Sequence, residues 1–134
     1  MKFSIITPAK RIDDFTIMAI DSVKSQTIKS SYEHIIIIDN QNDNLPDNYQ
    51  KENYSIKYIR SKKIIGPSSS RNEGISIANG EIICFLDSDD IWTNNYLEEL
   101  EKIFDSKKEI DAVSVGGYKF GNNRDNGLIT SWQK

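Results

Sequence analysis

Asp87-Ser88-Asp89-Asp90 places three carboxylates within four residues, directly after the apolar run Ile82-Ile83-Cys84-Phe85-Leu86. Carboxylates this close repel one another, so the cluster is costly unless solvent, hydrogen bonds or a cation offsets the charge. Aspartates are hard oxygen ligands suited to Mn2+ or Mg2+. A cation held there can bridge a diphosphate to the protein and stabilise the charge of a departing phosphate group. The competing reading is an N-cap, with Asp89 or Asp90 accepting amides of a following helix.

Two further positions carry usable chemistry. Asp39 closes the run His34-Ile35-Ile36-Ile37-Ile38, and a carboxylate there can accept the imino N–H of a pyrimidine. Asn40, beside it, can donate and accept. An Asx turn opening a loop explains the same pair. Arg71 lies in Ser68-Ser69-Ser70-Arg71-Asn72-Glu73-Gly74, where a guanidinium in a first helical turn can reach a base or a phosphate. Pairing with Glu73 or another acid is the alternative. Trp92 and Tyr96 suit core packing more than ligand stacking. Cys84 reads as a small buried hydrophobe and His34 as structural. A hydrolase triad has no support, and neither a Walker sequence nor G-x-G-x-x-G is present.

The elements that would hold these residues alternate. Phe3 to Thr7 reads as a buried strand stopped by Pro8. Asp13 or Asp14 caps a helix with Phe15, Met18, Ala19, Ser22, Val23 and Gln26 on its inner face. The isoleucine run is a strand covered on both faces, which favours a parallel sheet. Asn40 to Asp47 is a polar loop, with a short helix near Asp47 to Lys51. Ser55 to Arg60 is a third strand and Ser61 to Pro67 a loop. A helix capped by Ser68, Ser69 or Ser70 runs to about Ala78, and Gly74 allows it to pack closely. Glu81 to Leu86 is a fourth strand. A helix capped by Thr93 or Asn94 runs to about Ser106, with Leu97, Leu100, Ile103 and Phe104 on one face. Asp111 to Val115 is a fifth strand, Gly116-Gly117 a bend, Gly121 to Gly127 a loop and Leu128 to Trp132 a final strand. The order implies an α/β fold, a mostly parallel sheet flanked by helices. Ligands of such sheets bind outside the carboxyl ends of the strands, where Thr7-Pro8-Ala9, Asp39-Asn40, the loop after Arg60 and Asp87 to Asp90 all fall.

Composition narrows the classes. The chain has 134 residues and a net charge of −3, which argues against a nucleic-acid partner. With 37% hydrophobic and 28% charged residues it is ordinary globular material. One cysteine excludes an intrachain disulfide framework and a cysteine-rich zinc site, and fits a reducing, cytoplasmic setting. No apolar stretch is long enough to span a bilayer, so any membrane association is expected through a partner or a further segment. The N-terminal apolar run breaks at Pro8 and reads as a strand, not a signal peptide.

Taken together, these segments resemble the inverting family 2 glycosyltransferases of the GT-A fold. Phe3-Ser4-Ile5-Ile6-Thr7-Pro8 looks like their opening strand. Ala19 to Thr27 looks like their first helix, and Gly66 to Gly74 like the segment before their fourth strand. Ala78 to Trp92 resembles their Asp-x-Asp region closely. The likeness covers roughly residues 2 to 120 and implies a Rossmann-like nucleotide-binding half. It implies that Thr7 and Pro8 line the nucleotide pocket, that Asp39 with Asn40 meets a uracil, and that Arg71 contacts the base or the phosphates. It implies Asp87, with Ser88 beside it, on the ribose or sugar side, and Asp89 on a divalent metal. Ala9-Lys10-Arg11 stands where the family carries a Thr-Tyr-Asn-like run, and Asp39-Asn40 where it often pairs aspartates.

The implied ligands are a nucleotide-sugar, a UDP-sugar first, and a saccharide or lipid-linked acceptor. The family also carries a second half with the acceptor site and the general base. This chain is therefore expected to be a single, truncated GT-A domain of residues 1–134, active once completed. The alternative is a non-catalytic nucleotide- or partner-binding module. An exposed sheet edge makes self-association an expectation as well.

Overall fold

The computed structural model describes residues 1–39, 44–61, 66–119 and 127–129. The chain divides into two compact units, Met1–Glu98 and Glu99–Lys134. Among the described residues, no helix is long and apolar enough to cross a membrane.

The first unit is built on β1 (Phe3–Ala9) and β2 (Tyr32–Ile38), whose residues are all buried. A strand can be apolar on both faces only where both are covered, and parallel sheets provide that. The two run parallel, with Phe3 opposite Tyr32 and Ala9 opposite Ile38. β4 (Tyr54–Arg60) lies parallel on the far side of β2, and β5 (Ile82–Phe85) parallel on the far side of β1. A short β3 (Tyr49–Lys51) adds antiparallel to β4, giving the order β3-β4-β2-β1-β5. This is the α/β, mostly parallel architecture the alternation implies. At Tyr49–Lys51 the expectation of a helix fails. Glu52, at φ 53°, turns the chain straight back into β4, so the segment pairs as a hairpin.

Helix α1 (Asp14–Lys24) starts as expected. Asp13 is its N-cap, and Asp13 Oδ1 accepts from the Thr16 amide at 3.0 Å. The helix presents Thr16, Ala19, Ser22 and Val23 inward. Phe15 and Met18, expected on that face, are instead 64% and 47% exposed. The inner positions are taken by small side chains, and their bulky neighbours one position away turn out. Gln26 is buried, but its work is polar: its Nε2 donates to Thr93 O at 2.7 Å, and its Oε1 accepts from the Leu97 amide at 2.9 Å. Leu97 lies in the first turn of α3 (Tyr96–Ser106), so a residue just past α1 satisfies the entry of another helix.

Helix α2 (Pro67–Ile77) is not capped by a serine. Its N-cap is Gly66 at φ 84°, a left-handed conformation glycine adopts freely, and Pro67 follows at the first helical position. The helix rests on β1 through Gly74, where an added Cβ would come within 2.5 Å of Ile6 Cγ2. Gly80 is tighter still, since a Cβ there would meet the Ser4 amide nitrogen at 2.4 Å.

One buried polar group holds the amino ends of the strands together. Glu33 is fully buried, and its carboxylate accepts from Ser4 Oγ at 2.7 Å, Lys57 Nζ at 2.9 Å and the Asn79 amide at 2.7 Å. Burial alone raises its pKa, but the bonds from Lys57, Asn79 and Ser4 outweigh it and hold the carboxyl below its ordinary value. Gly80 N donates to Ser4 Oγ at 2.8 Å, extending the group to the loop before β5.

Helix α3 crosses the division between the units, with Leu97 and Leu100 buried on one face and Ile103 and Phe104 half-buried. In the second unit β6 (Gly117–Lys119) pairs antiparallel with β7 (Gly127–Ile129). The strand expected over Asp111 to Val115 does not form: those residues have no ladder partner among the described residues, and four of the five are exposed. The expected final strand is seen only as its beginning in β7, and Thr130 to Trp132 lie outside the described residues.

Candidate functional site

A concavity of about 850 Å3 opens at the carboxyl ends of the strands. Its walls come from the end of β1, the entry to α1, the residue after β2, the start of α2 and the turn after β5. Pro8, Asp39, Arg71, Asp87, Ser88 and Asp89 all line it, so six of the residues singled out in the sequence share one surface. Thr7 does not line it. Its side chain is fully buried, with Oγ1 2.8 Å from Nε2 of His34. Asn40 lies outside the described residues.

The acidic turn follows β5 directly, and the Asp90 amide closes it on Asp87 O at 3.1 Å. The next helix begins only at Tyr96, out of reach of an N-cap at Asp89 or Asp90. The capping explanation of the cluster therefore falls. Asp90 has its pKa raised, first by burial and then by the charges of Asp89 and Asp87. Part of that charge is met from the opposite wall, where Arg71 donates through Nη2 to Asp87 Oδ1. The carboxylate of Asp89 has no partner among the described residues.

Asp39 is held by its own backbone, which donates to Ala9 O at 2.9 Å. Its Oδ1 is buried and has no hydrogen-bond partner among the described residues. A buried acceptor left unmet costs free energy, on the order of 1–3 kcal/mol, that a ligand N–H would recover. His34 and Cys84 take no part in the wall. Burial pushes His34 down to about 3 and the Cys84 thiol up to about 12, so both are neutral, structural groups. Trp92 and Tyr96 stack on each other, with centroids 4.2 Å apart.

Several wall residues were not singled out as ligand contacts from the sequence: Lys10, Arg11, Phe15, Gly66, Pro67 and Ser70. A signal for Lys10 and Arg11 existed, because they follow Pro8 at a strand's carboxyl end. Phe15 gave none, since its spacing matches a core face.

Any divalent cation here needs more than the protein. Among the described residues, no three His, Cys, Asp or Glu side chains converge to hold a metal. The carboxylates of Asp89 and neighbouring Asp87 are hard oxygen donors on a negatively charged turn. That set fits a cation shared with ligand phosphates, not a closed protein cage.

Comparison with known proteins identifies the family and the fold. The chain is 38% identical over 130 residues to a poly(ribitol-phosphate) beta-glucosyltransferase of Bacillus spizizenii, covering 92% of this chain and 20% of that protein. It is 33% identical over 109 residues to an uncharacterised glycosyltransferase of Methanocaldococcus jannaschii, covering 78% and 37% of the two. The structure of S. aureus TarS 1–349 in complex with UDP-GlcNAc superposes with a TM-score of 0.66 at 24% identity, over 79% of this chain and 32% of that one, a likeness of fold. The chain spans about a fifth and somewhat over a third of the lengths of the two curated relatives. The profile described as glycosyl transferase family 2 matches residues 4–133, and the chain belongs to that family.

Proposed function

We propose that this chain is the donor-binding portion of an inverting glycosyltransferase, holding a nucleoside-diphospho-sugar with a divalent cation in the concavity. The observation that carries the reading is the convergence of Asp39, Arg71, Asp87 and Asp89 on one wall system at the carboxyl edge of a parallel sheet. Each supplies a different need of such a donor. The orphaned Asp39 Oδ1 accepts an N–H from the base. Arg71 brings a fixed positive charge to the phosphates. Asp87, with Ser88, faces the ribose or sugar hydroxyls. Asp89, with phosphate oxygens, holds Mn2+ or Mg2+, and that cation neutralises charge on the departing diphosphate.

Thr7 has a supporting role: its bond to buried His34 fixes the end of β1 from which Pro8 enters the wall. Transfer with inversion also needs a base that deprotonates the acceptor hydroxyl opposite the leaving group. That group and the acceptor site belong to a further part of the complete enzyme. The activities for which relatives are named, poly(ribitol-phosphate) glucosylation and the biosynthesis of minor teichoic acid and amylovoran, support an acceptor in polymer biosynthesis. TarS was crystallised with UDP and with UDP-GlcNAc, which supports a uridine donor.

The test is a calorimetric titration of the chain with UDP, GDP and ADP, each with manganese and with a chelator. Saturable, manganese-enhanced binding of UDP in preference to the purine nucleotides is expected. Absence of binding by all three at millimolar concentration contradicts the reading.

A further inference from the structure

Phe15 is an apolar ring placed where a core residue was expected, yet it is 64% exposed and lines the concavity. Its position is enforced locally. Asp13 caps α1 through Oδ1, and the Thr16 hydroxyl lies 3.0 Å from both Asp13 Oδ1 and Arg11 O. These bonds commit Thr16 to the buried side and leave the ring of Phe15 on the rim. Among the described wall residues it is the only aromatic side chain. The same wall system holds Asp39 Oδ1, a buried acceptor without a donor among the described residues. A ligand that satisfies both must present an N–H edge and a flat apolar face, which is the chemistry of a nucleobase.

Resting on the donor-binding reading above, we infer that Phe15 is the stacking face for the base of the nucleotide, with Asp39 meeting the edge of the same base. The division of labour is specific. Stacking rewards any planar base, while the carboxylate rewards only an edge that donates. The role does not fall to Lys10 or Arg11, whose cations suit phosphates, and Arg11 is engaged with Asp13 at 3.3 Å.

The test compares the wild-type chain, Phe15→Ala and Phe15→Tyr, each titrated with UDP and with inorganic pyrophosphate in the presence of manganese. Phe15→Ala is expected to weaken UDP about tenfold, in line with the loss of one base–aromatic stack. Phe15→Tyr keeps wild-type affinity, and pyrophosphate binds all three proteins alike. Unchanged UDP affinity in Phe15→Ala, or a parallel loss of UDP and pyrophosphate, overturns the assignment of Phe15 and leaves the donor site standing. Failure of the wild-type chain to bind UDP overturns both. Equal melting temperatures of the three proteins are expected because the ring is exposed.

Discussion

Arg71 and Asp87 face each other across the concavity, guanidinium on carboxylate, one from the start of α2 and the other from the turn after β5. The pair ties two segments distant in sequence that both line that surface. Side-chain exposures of 29% and 50% leave it partly in water, where such pairs contribute about 0–1 kcal/mol to stability. On the proposed reading, its value lies in placing a positive and a negative group for the donor.

Removing the guanidinium separates these roles. Arg71→Ala is expected to weaken UDP binding by roughly ten- to a hundredfold, the worth of a charged hydrogen bond. Its melting temperature stays within a few degrees of wild type. Calorimetry and a thermal melt on one preparation decide it; a large loss of stability with little loss of affinity contradicts the assignment.

Gly74 and Gly80 are expected to differ in what a methyl group does. In Gly74→Ala the new Cβ meets the Ile6 side chain, which can shift, at a cost of about 1–3 kcal/mol. In Gly80→Ala it meets the backbone of Phe3 and Ser4, which cannot. Urea denaturation should rank Gly80→Ala as the more damaging, and the reverse order contradicts the packing described.

Acid sensitivity has two named sources. His34 has its folded pKa depressed from 6.5 to about 3 by burial, so the unfolded chain takes up a proton that the folded chain refuses. Its contribution is complete above pH 6.5 and is lost as pH falls through that interval. Glu33, also held below its ordinary value of 4.5, adds a loss below that pH. His34→Gln should flatten the stability profile between pH 6.5 and 4.5, and Glu33→Gln only the more acidic limb. Denaturant midpoints measured every half unit of pH check both; profiles parallel to wild type refute the assignment.

Much of this was legible because it depends on local pattern. The isoleucine run of β2 can be buried on both faces only in a covered sheet, and Asp13 and Gly74 carry their cap and packing roles in their residue types. The acidic turn was legible as a carboxylate cluster at the carboxyl end of a strand, and the start of α3 at Tyr96 removed the capping explanation. What escaped depends on partners distant in sequence or on backbone conformation. β3 exists because Glu52 takes a positive φ. Gln26 matters because Leu97 arrives 71 positions later with an open amide. Glu33 looks like a surface charge in a strand until Lys57, Ser4 and Asn79 converge on it. Phe15 is misplaced by periodicity because one step around a helix separates the core from the rim.

The most direct measurement is the manganese dependence of UDP affinity in wild type and Asp89→Ala. Wild type should bind more tightly with the metal than in a chelator, and the variant should lose most of that difference while matching wild type in the chelator. Equal weakening of Asp89→Ala under both conditions, or a metal effect that survives the substitution intact, contradicts a cation shared between Asp89 and the diphosphate.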